Sequence, residues 1–313
     1  MPVADALLDD AAKERTRYFT RKNIRDEFNS LVPLKCGQRL VALFQKFIFP
    51  SYPVISRTQF GLTGSRQLPT QHALSSTPVH LLAAIYASTQ SFAKFDEHLC
   101  VLSAYSQPPT ERLWRLVLEL ILEEIHTPHL AVLRAGLLYL HRPINGQESA
   151  IADSPFTWSL VGLLVGVSTA LGLQLECRPM GLPAWGKRLR RRLWWALYTE
   201  DKWRSLLYGR PPFIQADEWD VTDLDEADFR LDQPRIEILL STSNQNQSDG
   251  IQFRHFARLS RIAAEVQQVL YWLRAAQRLS PNFPESLSTA RSLLRSLKGW
   301  YAMLPTELKL LRI

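Results

Sequence analysis

The stretch SPFTWSLVGLLVGVSTALGLQLE, Ser154 to Glu176, carries no charged side chain before Glu176 and sets Gly162 and Gly166 four residues apart. An uncharged run of this length with a G-x-x-x-G pair is the pattern of a transmembrane helix that dimerises. Its boundaries argue otherwise. Ser154 is a natural N-cap, Pro155 suits the first helical position, and Gly172 stands where a left-handed residue closes a helix. About 17 residues at 1.5 Å each span about 25 Å, short of the ~30 Å hydrocarbon core. Thr157, Ser159, Ser168 and Thr169 add hydroxyls to the run. The stretch is therefore read as a buried helix of a soluble domain, with no membrane partner. Ser159, Gly162, Gly166 and Thr169 share one face, where a second helix can approach closely.

Around that helix lie 313 residues, enough for one large domain or two ordinary ones. Hydrophobic residues make up 46% and charged residues 21%, a globular composition. The net charge of +7 is spread along the chain, so it permits an acidic partner without specifying one. Three widely spaced cysteines, Cys36, Cys100 and Cys177, do not make a disulfide framework or a paired-ligand zinc ribbon. The start, MPVADALLDDAAKERTRYFTRKN, lacks the apolar core of a secretory signal.

The remaining periodicity is helical. Leu40, Leu43, Phe44 and Phe47 recur at helical spacing, Pro78 to Ala87 and Leu113 to Ile125 are apolar helical runs, and HTPHLAVLRAGLLYLH places Thr127 as N-cap with Pro128 first in the helix. A long helix runs from Ala184 to Tyr208, ends at Gly209 and is barred from continuing by Pro211-Pro212; Glu200 and Arg204 pair across one of its turns. Phe256, Leu259, Ala263, Val266, Leu270 and Leu273 form a seam that pairs internally with a helix from about Glu285, or with a second copy of the chain. Alternating β-branched runs are scarce, so the fold class is all-α. The organisation expected is an N-terminal tail over 1–20, a helical core over 21–240, a polar loop over 241–250 (STSNQNQSDG) and a C-terminal helix pair over 251–313 belonging to the same domain.

Chemistry-bearing motifs are few. No G-x-S-x-G, P-loop, G-x-G-x-x-G or H-E-x-x-H occurs, so no catalytic or cofactor-binding residue is assigned. The densest metal-like cluster is EEIHTPH, with Glu123, Glu124, His126 and His129. Pro128 between the histidines keeps them off a shared helical face, and they are read as helix-end residues, not metal ligands. The acidic run DEWDVTDLDEADF, Asp217 to Phe229, invites a metal-enzyme reading but has no second ligand motif. It is read as an acidic loop that partly neutralises the basic run KRLRRR, Lys187 to Arg192. That run is in turn a charged helical face paired with acids such as Asp201 or those after Asp217, with nuclear import or phosphate contact as alternatives.

The order of these pieces says more than any one of them. LVGVSTALGLQLE, then KRLRRRLWWALYTEDKWRSLLYGRPPFI, then the acidic run, resembles the regulatory middle region of fungal Zn2Cys6 binuclear-cluster transcription factors. That pattern is an A-x-x-L-G-L helix end, represented here by A-L-G-L (Ala170 to Leu173), R-R-R-L-W-W (Arg190, Arg191, Arg192, Leu193, Trp194, Trp195), an aspartate soon after (Asp201), and G-R-P (Gly209, Arg210, Pro211) before an acidic stretch. LFQKFIFPSYPVISRTQF, LLAAIYA and WYAMLPTEL extend the likeness outward, and LECRPMGLPAW with TEDKWRSLLYGRPP looks most like the co-activators of nitrogen-source utilisation genes.

The resemblance implies a large all-α regulatory domain in the nucleus, non-enzymatic, controlling RNA polymerase II genes of nitrogen or related catabolic pathways. It implies transcription factors or co-activators as partners, a possible homodimer, and promoter DNA reached indirectly or through a zinc cluster. Family members hold that cluster with six cysteines in a C-x2-C-x6-C arrangement; three cysteines do not suffice, so zinc is expected only with an upstream cluster. A co-activator acting through partners is the first alternative, and an all-α metal-dependent enzyme the second. The resemblance also makes the Arg190 to Trp195 helix central scaffolding. Successive side chains on a helix point about 100° apart, so Trp194 and Trp195 are expected to serve different contacts, and Arg210 to bond free helix-end carbonyls or the acidic segment.

Overall fold

The computed structural model describes residues 23–62, 67–105, 109–143, 155–230 and 250–309. Among them every regular element is a helix. Helix α1 covers 23–31, and α2 (Leu34–Leu43) loosens into one wide turn over Phe44–Ile48. Then come α3 (Gln71–Ser76), α4 (Val79–Thr89), α5 (Glu97–Tyr105), α6 (Thr110–Glu124) and α7 (Leu130–Leu140). They are followed by α8 (Pro155–Ala170), α9 (Ala184–Tyr208), α10 (Ile251–Val266), α11 (Leu273–Leu279) and α12 (Phe283–Ala302).

The centre belongs to α4 and α7, because VHLLAAIYAST and LAVLRAGLLYL are apolar on all sides and lack a face to give to water. Every residue from Ala131 to Leu140 is buried, as is every residue from His80 to Ala87. Helix α6 covers both with a single stripe of Leu113, Trp114, Val117, Leu120 and Ile121, leaving Glu111, Arg115 and Glu119 outside. On the far side of α7 lie α8 and α9, and α10 runs along α9.

Two glycines set how closely helices meet. A Cβ on Gly37 of α2 would stand 2.2 Å from the Tyr86 hydroxyl of α4. One on Gly136 of α7 would stand 2.4 Å from a Leu164 methyl of α8. The close approach expected of the small face of α8 is thus supplied by its neighbour instead. Helix α8 buries Leu160, Val161, Leu164, Val167 and Ser168, while Ser159, Gly166 and Thr169 are exposed; only Gly162 meets a large group, the Phe213 ring. Leucine and valine bury more apolar area than glycine and serine, and that difference decides which face turns inward. The start at Pro155 agrees with expectation, Ser154 lies outside the described residues, and Gly172 has the left-handed φ of +67° that ends the turn after Ala170. Among the described residues no helix is long and apolar enough to cross a membrane.

Two further boundaries differ from the local reading. Helix α7 begins at Leu130, not at Pro128, and its cap is His129 in extended conformation without a side-chain cap bond. Extended His129 reaches back five residues to Glu124, its Nε2 lying 2.7 Å from Oε2. At the other end of the chain the seam of α10 stops at Leu270. Trp272 turns extended (φ −60°, ψ 139°) after a wide turn at Gln267–Tyr271, and Leu273 is 75% exposed. Helix α12 does fold back on α10; it starts at Phe283, where Asn282 accepts from the Glu285 backbone N–H. Of the polar loop only Gly250 is described.

Candidate functional site

Helix α9 carries the residues of the R-R-R-L-W-W pattern, and a 3.6-residue turn sends its three arginines to three places. Arg190 donates to the Leu171 carbonyl at the end of α8. Arg191 donates to both carboxylate oxygens of Asp228, to the Asp223 carbonyl, and to the Thr222 hydroxyl at 3.0 Å. Arg192 donates to the carbonyls of Pro53 at 3.0 Å, Ile55 at 2.9 Å and Asp228 at 2.6 Å, and lies beside the rings of Phe49 and Phe229. Arg191 and Arg192 are 3% and 5% exposed. Burial, then the neighbouring Arg57, pulls the Arg192 guanidinium down to about 9. Burial likewise pushes the Asp228 carboxyl above its usual range, against the pull of Arg191.

The acidic segment is therefore a strap across α9. Asp225 and Asp228 cap each other's backbone, Arg178 pairs with Asp225 at 2.7 Å, and Arg261 of α10 pairs with Asp223 at 2.7 Å. The Glu176 backbone N–H donates to Asp220 at 2.6 Å, and the Glu176 carboxylate accepts from the Thr222 hydroxyl at 2.6 Å. Neutralisation of the basic run was legible from the sequence, but its partner is Asp228 and not Asp201. Asp201, wholly buried, accepts from the backbone N–H groups of Phe213 at 2.8 Å and Ile214 at 3.1 Å and from Lys202 at 2.9 Å. It holds the chain that follows the G-R-P turn.

Trp194 and Trp195 share one contact and differ in the rest. Their ring centroids lie 5.8 and 5.6 Å from that of Trp219, which the strap lays across α9 so that both rings reach it. Trp195 also donates to the Thr222 carbonyl at 3.0 Å.

At the end of α9, Gly209 has φ +63°, a conformation that costs a residue with a Cβ and little for glycine. Arg210 N–H then closes onto the Ser205 carbonyl at 3.0 Å. The Arg210 guanidinium lies over the Trp158 ring, 5.4 Å from its centroid. The Arg210 carbonyl accepts from Gln267, which accepts from the Ser205 hydroxyl at 3.0 Å. Between this turn and the bend at Gln267–Trp272 opens a cleft of about 960 Å³, lined by Arg210, Pro211, Pro212, Gln215, Tyr271 and Arg274.

A second cleft, about 700 Å³, lies where α7 and α9 meet Tyr52. In it Glu200 holds His141 at 2.6 Å and Arg204 at 2.9 Å. Burial pushes the Glu200 carboxyl up, yet His141 and then Arg204 bring it down to about 2. The Arg204 pairing follows from four-residue spacing; His141 is distant in sequence, and no local signal marks it. Glu200, Asp201 and Asp228 are all committed to cations or backbone N–H groups, which suits them to holding position and not to moving protons. Cys36, Cys100 and Cys177 form no disulfide and lie on separate segments. One group of described residues has metal-ligand geometry: His80, Glu124 and His129. It takes two residues of the EEIHTPH cluster and leaves out Glu123 and His126.

The profile described as "Fungal specific transcription factor domain" matches residues 40–302. An uncharacterized transcriptional regulatory protein of Schizosaccharomyces pombe is 28% identical over 87% of this chain and 38% of its own length. The transcriptional activator protein DAL81 of Saccharomyces cerevisiae is 26% identical over 88% of this chain and 30% of its own. An acetamidase regulatory protein of Aspergillus oryzae is 26% identical over 62% and 23%. The chain thus spans about a third of the length of the curated relatives it matches over most of its own length. No solved structure matches it.

Proposed function

The chain belongs to the fungal-specific transcription factor domain family, and from that premise we propose that it is the regulatory domain of a nuclear regulator of RNA polymerase II genes, with nitrogen or catabolic pathways as targets. The observation that carries this reading is the use to which α9 is put. Its arginines and Asp201 hold the acidic strap and the G-R-P turn in place, and beside that turn a cleft stands open. A metabolite or a partner's side chains in the cleft touch both the end of α9 and the bend before α11. Binding that differs between two arrangements of those elements shifts their populations, which is regulation without catalysis. The relative named as an acetamidase regulator supports catabolic targets.

The reading assigns no cofactor and no direct DNA contact to these residues; other transcription factors, co-activators or a second copy of the chain are the partners. A metal-dependent enzyme finds little support, because Asp223, Asp225 and Asp228 of the acidic run each pair with an arginine. A second reading, a co-activator that works through partners alone, is favoured by an apolar trough of about 330 Å³ between α10 and α12, lined by Leu259, Ile262, Val266, Leu270, Leu294 and Leu297.

The test is to tether the chain to a heterologous DNA-binding module and measure a reporter on different nitrogen sources, with Arg210→Ala alongside. The expected result is a source-dependent response that Arg210→Ala changes while its melting temperature falls, because the ring contact with Trp158 is lost. An unchanged melting temperature with a lost response makes Arg210 a partner contact. Output that ignores nitrogen source in every form sinks the pathway assignment.

A further inference from the structure

Three helix ends converge at a point that the EEIHTPH stretch marks only in part. His80 lies in the first turn of α4, Glu124 is the last residue of α6, and His129 caps α7. The Glu124 carboxylate oxygen Oε2 is 2.7 Å from His129 Nε2 and 3.6 Å from His80 Nδ1. The two imidazole rings face each other, centroids 5.5 Å apart and planes 29° from parallel. One donor atom from each of the three residues lies within 4.8 Å of the other two.

His80 needs an explanation. Its side chain is wholly buried, and neither ring nitrogen makes a hydrogen bond of normal geometry. Buried polar groups left without a partner are rare and costly. Glu124 does not supply the missing partner, because its Oε2 lies 3.6 Å from His80 Nδ1, beyond hydrogen-bond reach. The Ala131 backbone and Arg134 also act on His80. Arg134 is a nearby charge that opposes a bound cation; its Nε and Nη1 donate to the Val54 carbonyl and the Gln59 amide oxygen, both at 3.0 Å, while its Nη2 has no partner among the described residues.

We propose that His80, Glu124 and His129 form a binding site for a divalent transition-metal ion, with zinc as the best fit, leaving the fourth position to water or a partner's side chain. Two imidazoles and one carboxylate make a donor set suited to zinc and its first-row neighbours and poor for Mg2+ or Ca2+, which take oxygen ligands. Zinc bonds of about 2.0–2.1 Å in tetrahedral geometry place donors about 3.3 Å apart. The observed separations bracket that value. Binding trades the Glu124–His129 hydrogen bond for two metal bonds and gives the buried nitrogen of His80 its partner. The ion ties together α4, α6 and α7, the three helices of the central core. This site uses no cysteine and is separate from any binuclear cluster.

The test uses the full 313-residue chain, stripped with a chelator and titrated with Zn2+ by calorimetry and with Co2+ by visible absorption. Expected are one high-affinity zinc per chain, an intense tetrahedral Co2+ band that zinc displaces, and a melting temperature raised by zinc but not by Mg2+. His129→Ala and Glu124→Gln weaken zinc binding by at least about tenfold. His72→Ala, exposed on α3, binds like the unaltered chain. His129 is half-exposed and makes no cap bond, so its removal leaves the fold intact, and circular dichroism of both variants checks this. Absence of stoichiometric binding at micromolar concentration overturns the proposal. So does zinc binding that both variants retain.

Discussion

Asp228 and Arg191 are each about 3% exposed on the side chain and face each other across the strap. A buried pair like this is weak evidence of net stabilisation, but removing one partner strands the other's charge away from water. Asp228→Ala is therefore expected to lower unfolding free energy by about 3–5 kcal/mol, measured by denaturant titration. It frees the capping partner of Asp225 at the same time. A loss under 1 kcal/mol would mean that the Asp223 carbonyl and Thr222 satisfy Arg191 without it. The arginines of α9 were visible in the sequence as a run, and their need for acids followed from charge alone. That Arg191 meets Asp228 while Arg190 and Arg192 take backbone carbonyls was not visible, because it depends on where the strap crosses the helix.

Among the helices, the contact of α2 with α4 turns on Gly37. Intrinsic propensity predicts that Gly37→Ala stabilises the helix by about 1 kcal/mol. Geometry predicts the opposite, because the new methyl would sit 2.2 Å from the Tyr86 hydroxyl and 2.6 Å from its ring. Tyr86 is 3% exposed and stacked on Phe28, so the ring has little room to retreat. Overpacking of about 1–3 kcal/mol wins, and the expected outcome is a lower melting temperature. A higher one would show that α2 slides without penalty. The same contest explains the misreading of α8. Periodicity located its ends and its helical state, but a G-x-x-x-G pair is read as an approach surface only when the larger residues beside it have nowhere better to go. Here Gly136 of α7 receives Leu164, and the small face of α8 is left largely exposed.

At the scale of the molecule, the basic run KRLRRR bears on how the chain reaches its targets. An import receptor binds such a run as an extended segment, whereas here it is one and a half turns of helix with Arg191 and Arg192 under the strap. Changing the more accessible Lys187 and Arg188 to alanine is therefore expected to leave the cellular distribution of a fluorescent fusion unchanged. Redistribution of the double variant to the cytoplasm would mean that the helix end unfolds to serve the receptor. The metal cluster belongs to this scale too. Glu124 and His129 stood five residues apart in an acidic, histidine-bearing stretch, yet without His80 they were two helix-end residues; packing of α4 on α6 and α7 brings in the third donor.

Sequence alone determined that the chain is helical, where α9 and most other helices lie, that α8 is too short to cross a membrane, and which family its motif order belongs to. The helical state, the helix positions and the length of α8 follow from local physics: hydrophobic period, cap residues, and the glycines and prolines that stop a helix; the family rests on a resemblance in motif order. Tertiary structure alone decided that the strap locks onto Arg191 through Asp228, that Trp194 and Trp195 share Trp219, that the approach glycine sits on α7, and that His80 joins Glu124 and His129. Each of these is a pairing between residues far apart in the chain. Several partners of suitable chemistry were available for each, and the choice is made by close packing of whole helices, whose burial outweighs any one polar contact.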